Sequence, residues 1–312
     1  MFKPNFDNYK IDSSLPTISI STILSMVASP FERDKVVDLT YNKHYNNPES
    51  QYYHKSKDEI IAMWEAKGAD SRHYGTMLDT YIGNILTGTP DSLKLFKLDN
   101  NYEYDERLKG LCDSFDSFYK VLCASGDTEF IDREQTVYYK VDIPNPDNND
   151  EILSYYVKGR FDALFYNKRT NKWIIVDWKS SGSIEKKTSP WTKKLLGPMN
   201  RFPELNWYTY TTQLYYYKKT LIANYLPAGT TEDDVIVLIV NLPGKINEES
   251  GQNFGVHQPA YKYDSLLLDQ LYNYAIQKDY LNNKINSNKK EETKEIQKIN
   301  EEESDVNLTN LF

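Results

Sequence analysis

Three strand-like segments between residues 134 and 179 constrain the fold more than any other feature of the sequence. Residues 134–143 (EQTVYYKVDI) alternate with the period of two that is typical of a half-buried strand. The segments 152–166 (ILSYYVKGRFDALFY) and 173–179 (WIIVDWK) follow, separated by the turn-forming clusters PNPDNND and NKRTNK. Short turns between successive strands favour antiparallel pairing of neighbours. We therefore predict an antiparallel three-stranded meander.

Helical and strand patterns surround the meander. Helical spacing of apolar residues predicts helices at 19–29, 57–86, 104–125, 205–225 and 264–284. A fully apolar strand is predicted at 234–242 (DVIVLIVNL), and polar loops at 31–56 and 180–204. This order predicts an α/β fold with a mixed central β-sheet that contains the meander and is flanked by helices, plus an N-terminal helical region.

The expected domain organisation is simple. We predict a single domain at residues 1–284, with a mainly helical part at 18–126 and an α/β core at 127–284. Residues 285–312 are rich in Lys, Glu and Asn and lack aromatic residues until Phe312, which predicts a flexible charged tail.

Composition narrows the class of protein. The two cysteines, Cys112 and Cys123, have no CxxC spacing, which argues against a disulfide framework and for a reducing intracellular compartment. The polar N-terminal segment does not look like a signal peptide, and no apolar run approaches the ~20 residues of a membrane span. The net charge of −8 argues against a general nucleic-acid coat protein but is compatible with an enzyme whose cations are local.

The third strand ends in charged residues, and charges at the end of an apolar strand need a partner or a function. Side chains two residues apart share a face of a strand, so Asp177 and Lys179 lie together. Trp178 points the other way, into a core, with Ile174 and Val176.

The middle strand carries a second aspartate. Asp162 is predicted on the face opposite to Phe161, Ala163 and Phe165. Glu134, at the start of the first strand, is predicted on its more polar face. Because sequential strands pair, we expect these carboxylates to converge with Asp177 and Lys179 at one end of the sheet.

Two carboxylates held together repel each other unless a cation lies between them. Oxygen ligands of this kind suit Mg²⁺ or Mn²⁺. The adjacent Lys179 could orient or deprotonate a water molecule, or neutralise charge that builds on a phosphate. The structural alternative is an exposed ion pair of Asp177 and Lys179 at a strand end, with Asp162 a solvated acid near a turn.

These residues also carry a resemblance to a known family. GRFD (159–162), followed after a short spacer by IIVDWKSS (174–181), resembles the PD-(D/E)xK nuclease superfamily and, within it, the RecB-type exonuclease branch. QLYYY (213–217) is similar to that branch's Gln-x-x-x-Tyr motif. GTMLD (75–79) stands where the branch has Gly-Thr-x-x-His, and ISISTILSMVASPF (18–31) resembles its N-terminal helix, which ends in Cys-Pro.

The resemblance, which covers about residues 18–225, implies a restriction-endonuclease-like core and a Mg²⁺- or Mn²⁺-dependent deoxyribonuclease. It implies that Asp162 and Asp177 bind the metal, with help from the Trp178 backbone carbonyl. Lys179 would then position a water molecule for in-line attack, leaving a 5′-phosphate. The implied activity is an exonuclease of DNA recombination, repair or replication, and the Asn-, Lys-, Ile- and Tyr-rich composition fits a viral or phage type.

Two positions depart from the family pattern. Asp79 replaces the family histidine, so an oxygen ligand for the metal is retained; His73 is a nearby substitute, and a capping or solvated acid is the alternative for Asp79. Gly75 and Gly83 flank Asp79 at i−4 and i+4, where small residues would admit a metal, a DNA backbone or simply another helix. Ser29 stands where iron–sulfur members have cysteine, and two cysteines cannot hold a four-cysteine cluster.

A DNA path is predicted beside the site. Gln213 and Tyr217 share a helix face that, in the family, supports the active strand and touches nucleic acid; helix-to-sheet packing is the alternative. The loop 182–202 combines cations with one aromatic ring, a combination typical of single-strand binding and also of a solvated surface. Its candidate contacts are Lys186, Lys187, Trp191, Lys193, Lys194 and Arg201.

The predicted partner is DNA that is single-stranded or has single-stranded ends. The tail, ending EEESDVNLTNLF, suggests a docking peptide for a replication clamp or single-strand-binding protein through Leu308, Leu311 and Phe312, or a frayed end without function. The alternatives to an exonuclease are a structure-specific or site-specific endonuclease, a catalytically silent DNA-binding or scaffold protein, and an unrelated fold with a chance motif.

Overall fold

The computed structural model describes residues 2–100, 102–103, 105–180, 184, 186–189, 192–247 and 251–286. Within these residues the protein is mixed α/β, with seven α-helices and two mixed sheets. The helices are α1 (Ile20–Val27), α2 (Arg33–His44), α3 (Lys57–Leu86), α4 (Pro90–Asp99), α5 (Glu106–Cys123), α6 (Asn206–Asn224) and α7 (265–286). The strands are β1 (Thr17–Ser19), β2 (Thr128–Arg133), β3 (Thr136–Asn145), β4 (Asn148–Arg160), β5 (Ala163–Asn167), β6 (Lys172–Lys179), β7 (Val235–Asn241) and β8 (Gly255–His257).

The strands form two sheets rather than one. The smaller sheet has the order β1-β4-β3, and the larger has the order β2-β5-β6-β7-β8. The pairs β3–β4 and β5–β6 are antiparallel as predicted, whereas β1–β4 and β6–β7 are parallel. The prediction of one meander in a single central sheet is therefore wrong, because the predicted strand 152–166 breaks at residues 161–162 and its halves join different sheets.

The break also corrects a side-chain assignment. Phe161 packs on the α6 side of the large sheet, together with Leu164. Ala163 and Phe165 pack on the opposite side, against α3 and α5. The strict alternation that predicted a common face for Phe161, Ala163 and Phe165 fails where the strand bends.

Helices cover both faces of the large sheet. One core lies between the sheet and α1, α6 and α7, and the other between the sheet and α3, α4 and α5. Strands covered on both faces carry nearly continuous apolar sequence, as β6 and β7 do. The residues at the end of β6 therefore lie at the edge of a sheet that is covered by helices on both faces.

Most predicted helices are confirmed. The long helix α3 has the predicted bounds, and Ser56 and Glu59 form a reciprocal capping box at its start. The predictions at 19–29, 104–125, 205–225 and 264–284 correspond to α1, α5, α6 and α7, and the strand at 234–242 corresponds to β7.

The loop prediction at 31–56 is wrong, since α2 occupies 33–44. That helix buries only Val37 among its own residues, so its sequence carries no apolar stripe. The described part of 180–204 is irregular as predicted, yet it buries Ile184, Leu195 and Met199 in the α6-side core.

Two further predictions concern the C-terminal tail and membrane-spanning segments. The predicted tail lies outside them from residue 287, including Leu308, Leu311 and Phe312. None of the helices in the described residues combines the length and apolar character needed to cross a bilayer.

Candidate active site

The end of β6 places two oppositely charged groups side by side. Asp177 is almost completely buried, and its Oδ2 lies 2.8 Å from Lys179 Nζ. Trp178 points to the other side of the sheet and packs edge-on against Phe115 of α5, with ring centroids 5.8 Å apart. The predicted division of this strand end between core and site is confirmed.

Asp162 lies at the break between β4 and β5. Its Oδ2 accepts a hydrogen bond from the backbone N–H of Trp178 at 2.9 Å. The antiparallel register begins at Ala163, which pairs with Val176, so Asp162 at the preceding bend lies beside Asp177 at the end of β6. The two aspartates therefore lie close together at neighbouring strand ends, which is the convergence that the sequence predicts.

Burial and mutual repulsion shift the pKa values of this group. Burial raises the pKa of Asp162 well above its usual range, and the Asp177 charge raises it further. Burial also raises the pKa of Asp177, although Lys179 opposes the effect. Burial alone would lower the pKa of Lys179, but the two carboxylates outweigh it and raise that pKa, so the lysine stays charged.

The Gln-x-x-x-Tyr pair braces the strand that leads to Asp162. Gln213 Nε2 donates to the Tyr217 hydroxyl at 2.9 Å, and that hydroxyl donates to the Arg160 carbonyl at 2.7 Å. Gly159 permits this contact, because a Cβ there would lie 2.8 Å from the Tyr217 ring. Tyr217 is buried, so its main contribution is to fix the backbone just before Asp162.

Glu134 does not belong to the first strand, contrary to its predicted place on that strand's polar face. It lies between β2 and β3 with a φ of 55°, and its N–H donates to the Phe161 carbonyl at 3.1 Å. A positive φ is costly for a residue with a side chain. Its carboxylate pairs with Arg160 Nε at 2.8 Å, and burial, together with the charge of Asp79, raises its pKa.

Asp79 is held by an arginine. Arg133 Nη2 donates to Asp79 Oδ1 at 2.5 Å, and its guanidinium lies so close to Gly83 that a Cβ there would be 1.9 Å from Nη1. The space beside Gly83 is thus filled by Arg133. Gly75 faces the residue after β6, with Ser180 Oγ 3.8 Å from an added Cβ. His73 is exposed on α3.

The metal prediction is only partly matched by the arrangement. Within the described residues no group of three or more His, Cys, Asp or Glu side chains is placed to hold a metal ion. Asp79 and Glu134 are not gathered with Asp162 and Asp177 into such a group. The two aspartates nevertheless fit a divalent cation, because both are oxygen donors, Asp177 is buried and Asp162 lies half-buried beside it.

The described residues of the predicted basic loop lie in different surroundings. Arg201 pairs with Asp264 at 3.0 Å, and Lys193 and Lys194 are exposed. Trp191 lies outside the described residues. Lys186 and Lys187 border a pocket beyond β7, together with residues from the segments that follow that strand.

A cleft of about 470 Å³ opens beside the braced strand, between the start of α1, the β3–β4 hairpin and α6. Gln213 and Arg160 line it, and Ser19, Ser21 and Lys158 add two hydroxyls and a cation. Polar and cationic groups thus border the strand that leads to Asp162.

Sequence reasoning left some site contacts unassigned. Lys179 Nζ lies 4.6 Å from the centre of the Tyr210 ring, a cation–π contact from α6. Tyr210 precedes Gln213 by three residues, so helical spacing places it on the same face. Arg160, the ion-pair partner of Glu134, lies inside the GRFD segment, for which the sequence pattern predicts a role only for Gly159 and Asp162.

Comparison with protein-family models finds no match for this chain, and comparison with curated proteins finds none either.

Proposed function

We propose that this protein is a divalent-metal-dependent DNA exonuclease that hydrolyses phosphodiester bonds. The observation that carries the proposal is the pair formed by buried Asp177 and half-buried Asp162 at the end of β6, with Lys179 Nζ 2.8 Å from Asp177. Two neighbouring carboxylates that are largely removed from solvent are costly unless a cation offsets their repulsion. Carboxylates with strongly shifted pKa values at the edge of the protein interior are typical of a functional site.

The proposed fold is a restriction-endonuclease-like core. It is supported by the mixed large sheet with helices on both faces and by the site at the end of β6. When bound, Mg²⁺ or Mn²⁺ would supply Lewis-acid polarisation of a phosphate and a lowered water pKa. Asp162, Asp177 and the Trp178 carbonyl would hold that ion.

The chain's own residues would contribute orientation and charge. Lys179, kept protonated by its two acidic neighbours, would hold the attacking water and offset negative charge on the phosphate. Tyr210 would limit the motion of the Lys179 ammonium through its ring. Gln213 and Tyr217 would fix the backbone before Asp162, so that its carboxylate stays opposite Asp177.

The test is digestion of single- and double-stranded DNA, labelled at either end, with Mg²⁺ or Mn²⁺. We expect cleavage by the wild type that requires the metal and is reduced at least about a thousandfold in Asp177→Asn, since the reacting groups act as a unit. The matched control is Asp113→Asn, an exposed aspartate on α5, which should cut at the wild-type rate.

Closed circular DNA separates the reaction classes. Resistance of circles together with release of terminal label indicates an exonuclease, and cutting of circles indicates an endonuclease with the same site. Absence of cleavage under all conditions would refute the proposal. In that case a silent DNA-binding protein becomes the better account, and the Asp79–Arg133 ion pair, which occupies a position that contacts metal in the family, favours it.

A further inference from the structure

A cationic pocket of about 640 Å³ lies beyond the carboxyl end of β7, apart from the proposed metal-binding residues. It is formed where the chain leaves β7, returns along β8 and meets the segment after β6. Its chemistry comes from three lysines, a histidine, an amide and an aromatic ring: Lys186, Lys187, Lys245, His257, Asn241 and Phe254.

The pocket lies at the β8 edge of the sheet, and two of its residues, Asn241 and His257, share a face with the proposed catalytic residues. Lys179 pairs in register with Asn241, which pairs in turn with Gly255. In the row before, Asp177 pairs with Ile239, and Ile239 pairs with His257. Residues in register across a sheet share a face, and neighbouring strands are about 4.8 Å apart. His257 therefore lies two strands, or about 10 Å, from Asp177.

The charged side chains among the described lining residues of the pocket are all lysines. Three lysines and no carboxylate are found among its lining residues that the structure describes; Glu185, Glu248 and Glu249 lie outside the described residues. Lys186 Nζ lies 4.8 Å from the centre of the Trp207 ring, and this cation–π contact limits the motion of the Lys186 side chain. Burial and the nearby Lys186 lower the pKa of His257, so its ring is neutral at pH 7 and available for stacking.

The predicted path through the basic loop divides at this point. Arg201 is neutralised by Asp264 and lines a different groove, with Glu232. Lys186 and Lys187 instead join Lys245, which is distant in the sequence. Lys186 and Lys187 are thus the cations of the predicted loop that lie on the β7–β8 side of the site.

We propose that this pocket binds one phosphate and the attached base of an unpaired DNA strand, on the β7–β8 side of the bond that is cut. The choice of DNA rests on the proposed function. Lysines neutralise the phosphate, and Phe254 and His257 offer ring faces to the base. An unpaired strand is favoured because a base of a duplex is already stacked and paired and would have to leave the helix to reach the pocket.

The experiment measures binding without catalysis. Fluorescence anisotropy with a labelled oligothymidylate, in EDTA, compares the wild type with Lys186→Ala/Lys245→Ala. We expect Kd to rise about tenfold, and the slope of log Kd against log salt to fall by about 1.4, or about 0.7 for each cation. Lys94→Ala, an exposed lysine on α4, is the matched control and should leave both values unchanged.

A second variant tests the base contact. Phe254→Leu keeps an apolar side chain against Phe118 but removes the ring, and we expect Kd to rise about fivefold or more with Tm near that of the wild type. The inference is overturned if the lysine variant binds like Lys94→Ala, if blunt duplex is affected as strongly as the oligonucleotide, or if inorganic phosphate competes as well as the oligonucleotide.

The two proposals can fail separately. Binding in EDTA does not require hydrolysis, so a protein that binds the strand through these lysines but cuts nothing refutes the nuclease and not the pocket. Metal-dependent cleavage with the same Kd in wild type and lysine variant refutes the pocket and not the nuclease.

Discussion

Replacing Asp162 by asparagine should stabilise the metal-free protein. Asp162→Asn keeps an oxygen that can accept the Trp178 N–H bond and leaves the Asp177–Lys179 ion pair in place. It removes the negative charge that faces Asp177. The variant therefore isolates the repulsion between the two aspartates from the other contacts of the site.

The size of the effect follows from the register. Side chains directly opposite on neighbouring strands are about 5 Å apart, and two like charges at that distance repel by about 3 kcal/mol at an effective dielectric constant of about 20. Lys179 attracts both carboxylates and offsets part of this energy. We expect a net gain of about 1–2 kcal/mol in the free energy of unfolding, or a rise in Tm of about 2–6 °C.

The gain should depend on pH in a defined direction. In the folded protein the pKa of Asp162 lies above its unfolded value of about 3.9, first through burial and then through Asp177. A carboxyl group with a raised pKa loses stability as pH rises from the unfolded to the folded pKa. The advantage of Asp162→Asn should thus be smallest near pH 4 and grow as the pH rises through the folded pKa of Asp162.

Divalent metal should reverse the order of stability. In thermal unfolding that starts in EDTA, added Mg²⁺ or Mn²⁺ should raise the Tm of the wild type. At a metal concentration one hundred times Kd, the free energy of unfolding should increase by about 2.7 kcal/mol. Asp162→Asn should not respond, and Asp113→Asn should respond like the wild type. A lower Tm for Asp162→Asn in EDTA, or an equal response to metal, would refute the reasoning.

Four further substitutions test the backbone and side-chain contacts that position the site. Gly159→Ala places a Cβ 2.6 Å from a tyrosine ring of α6, and urea unfolding should show a loss of about 1–3 kcal/mol. Tyr217→Phe removes the hydroxyl that holds the β4 carbonyl, and should cost about 1–3 kcal/mol in urea while cleavage falls further than DNA binding. Gly83→Ala should displace Arg133 and lower Tm, whereas Gly75→Ala, with 3.8 Å of clearance, should keep or raise it in parallel thermal scans.

The elements that the sequence predicts well are those governed by local signals. The start of α3 is marked by Ser56 and Glu59, whose side chains satisfy the first backbone groups of the helix. The convergence of Asp162 and Asp177 follows from a short turn, because turn length fixes the register of β5 on β6. In both cases the decisive contacts lie close together along the chain.

The elements that it predicts poorly depend on distant contacts. No residue pattern between 152 and 166 marks the break at Phe161, because both faces of the large sheet are apolar and could accept this ring. The ring packs on the α6 side, where Tyr217 contacts both Phe161 and Gly159, and Tyr217 is 58 residues away from Gly159 in the sequence. The helix α2 is stabilised through a single buried side chain, Val37, and its sequence resembles that of a polar loop. Its contacts to α3 are made only after the chain has folded back.

The electrostatics of the whole site explain why a cation is expected at one position rather than at several. Three of its four carboxylates have a cationic partner within 2.8 Å: Asp79 with Arg133, Glu134 with Arg160 and Asp177 with Lys179. Asp162 has a backbone N–H instead, and among the described residues no ion pair involves it. When all of these groups are ionised, the four acids and three cations leave a net charge of −1, and Asp162 is the acid that no ion pair offsets among the described residues. A divalent ion held by Asp162 and Asp177 would compensate the charge of Asp162 and the repulsion between the two aspartates.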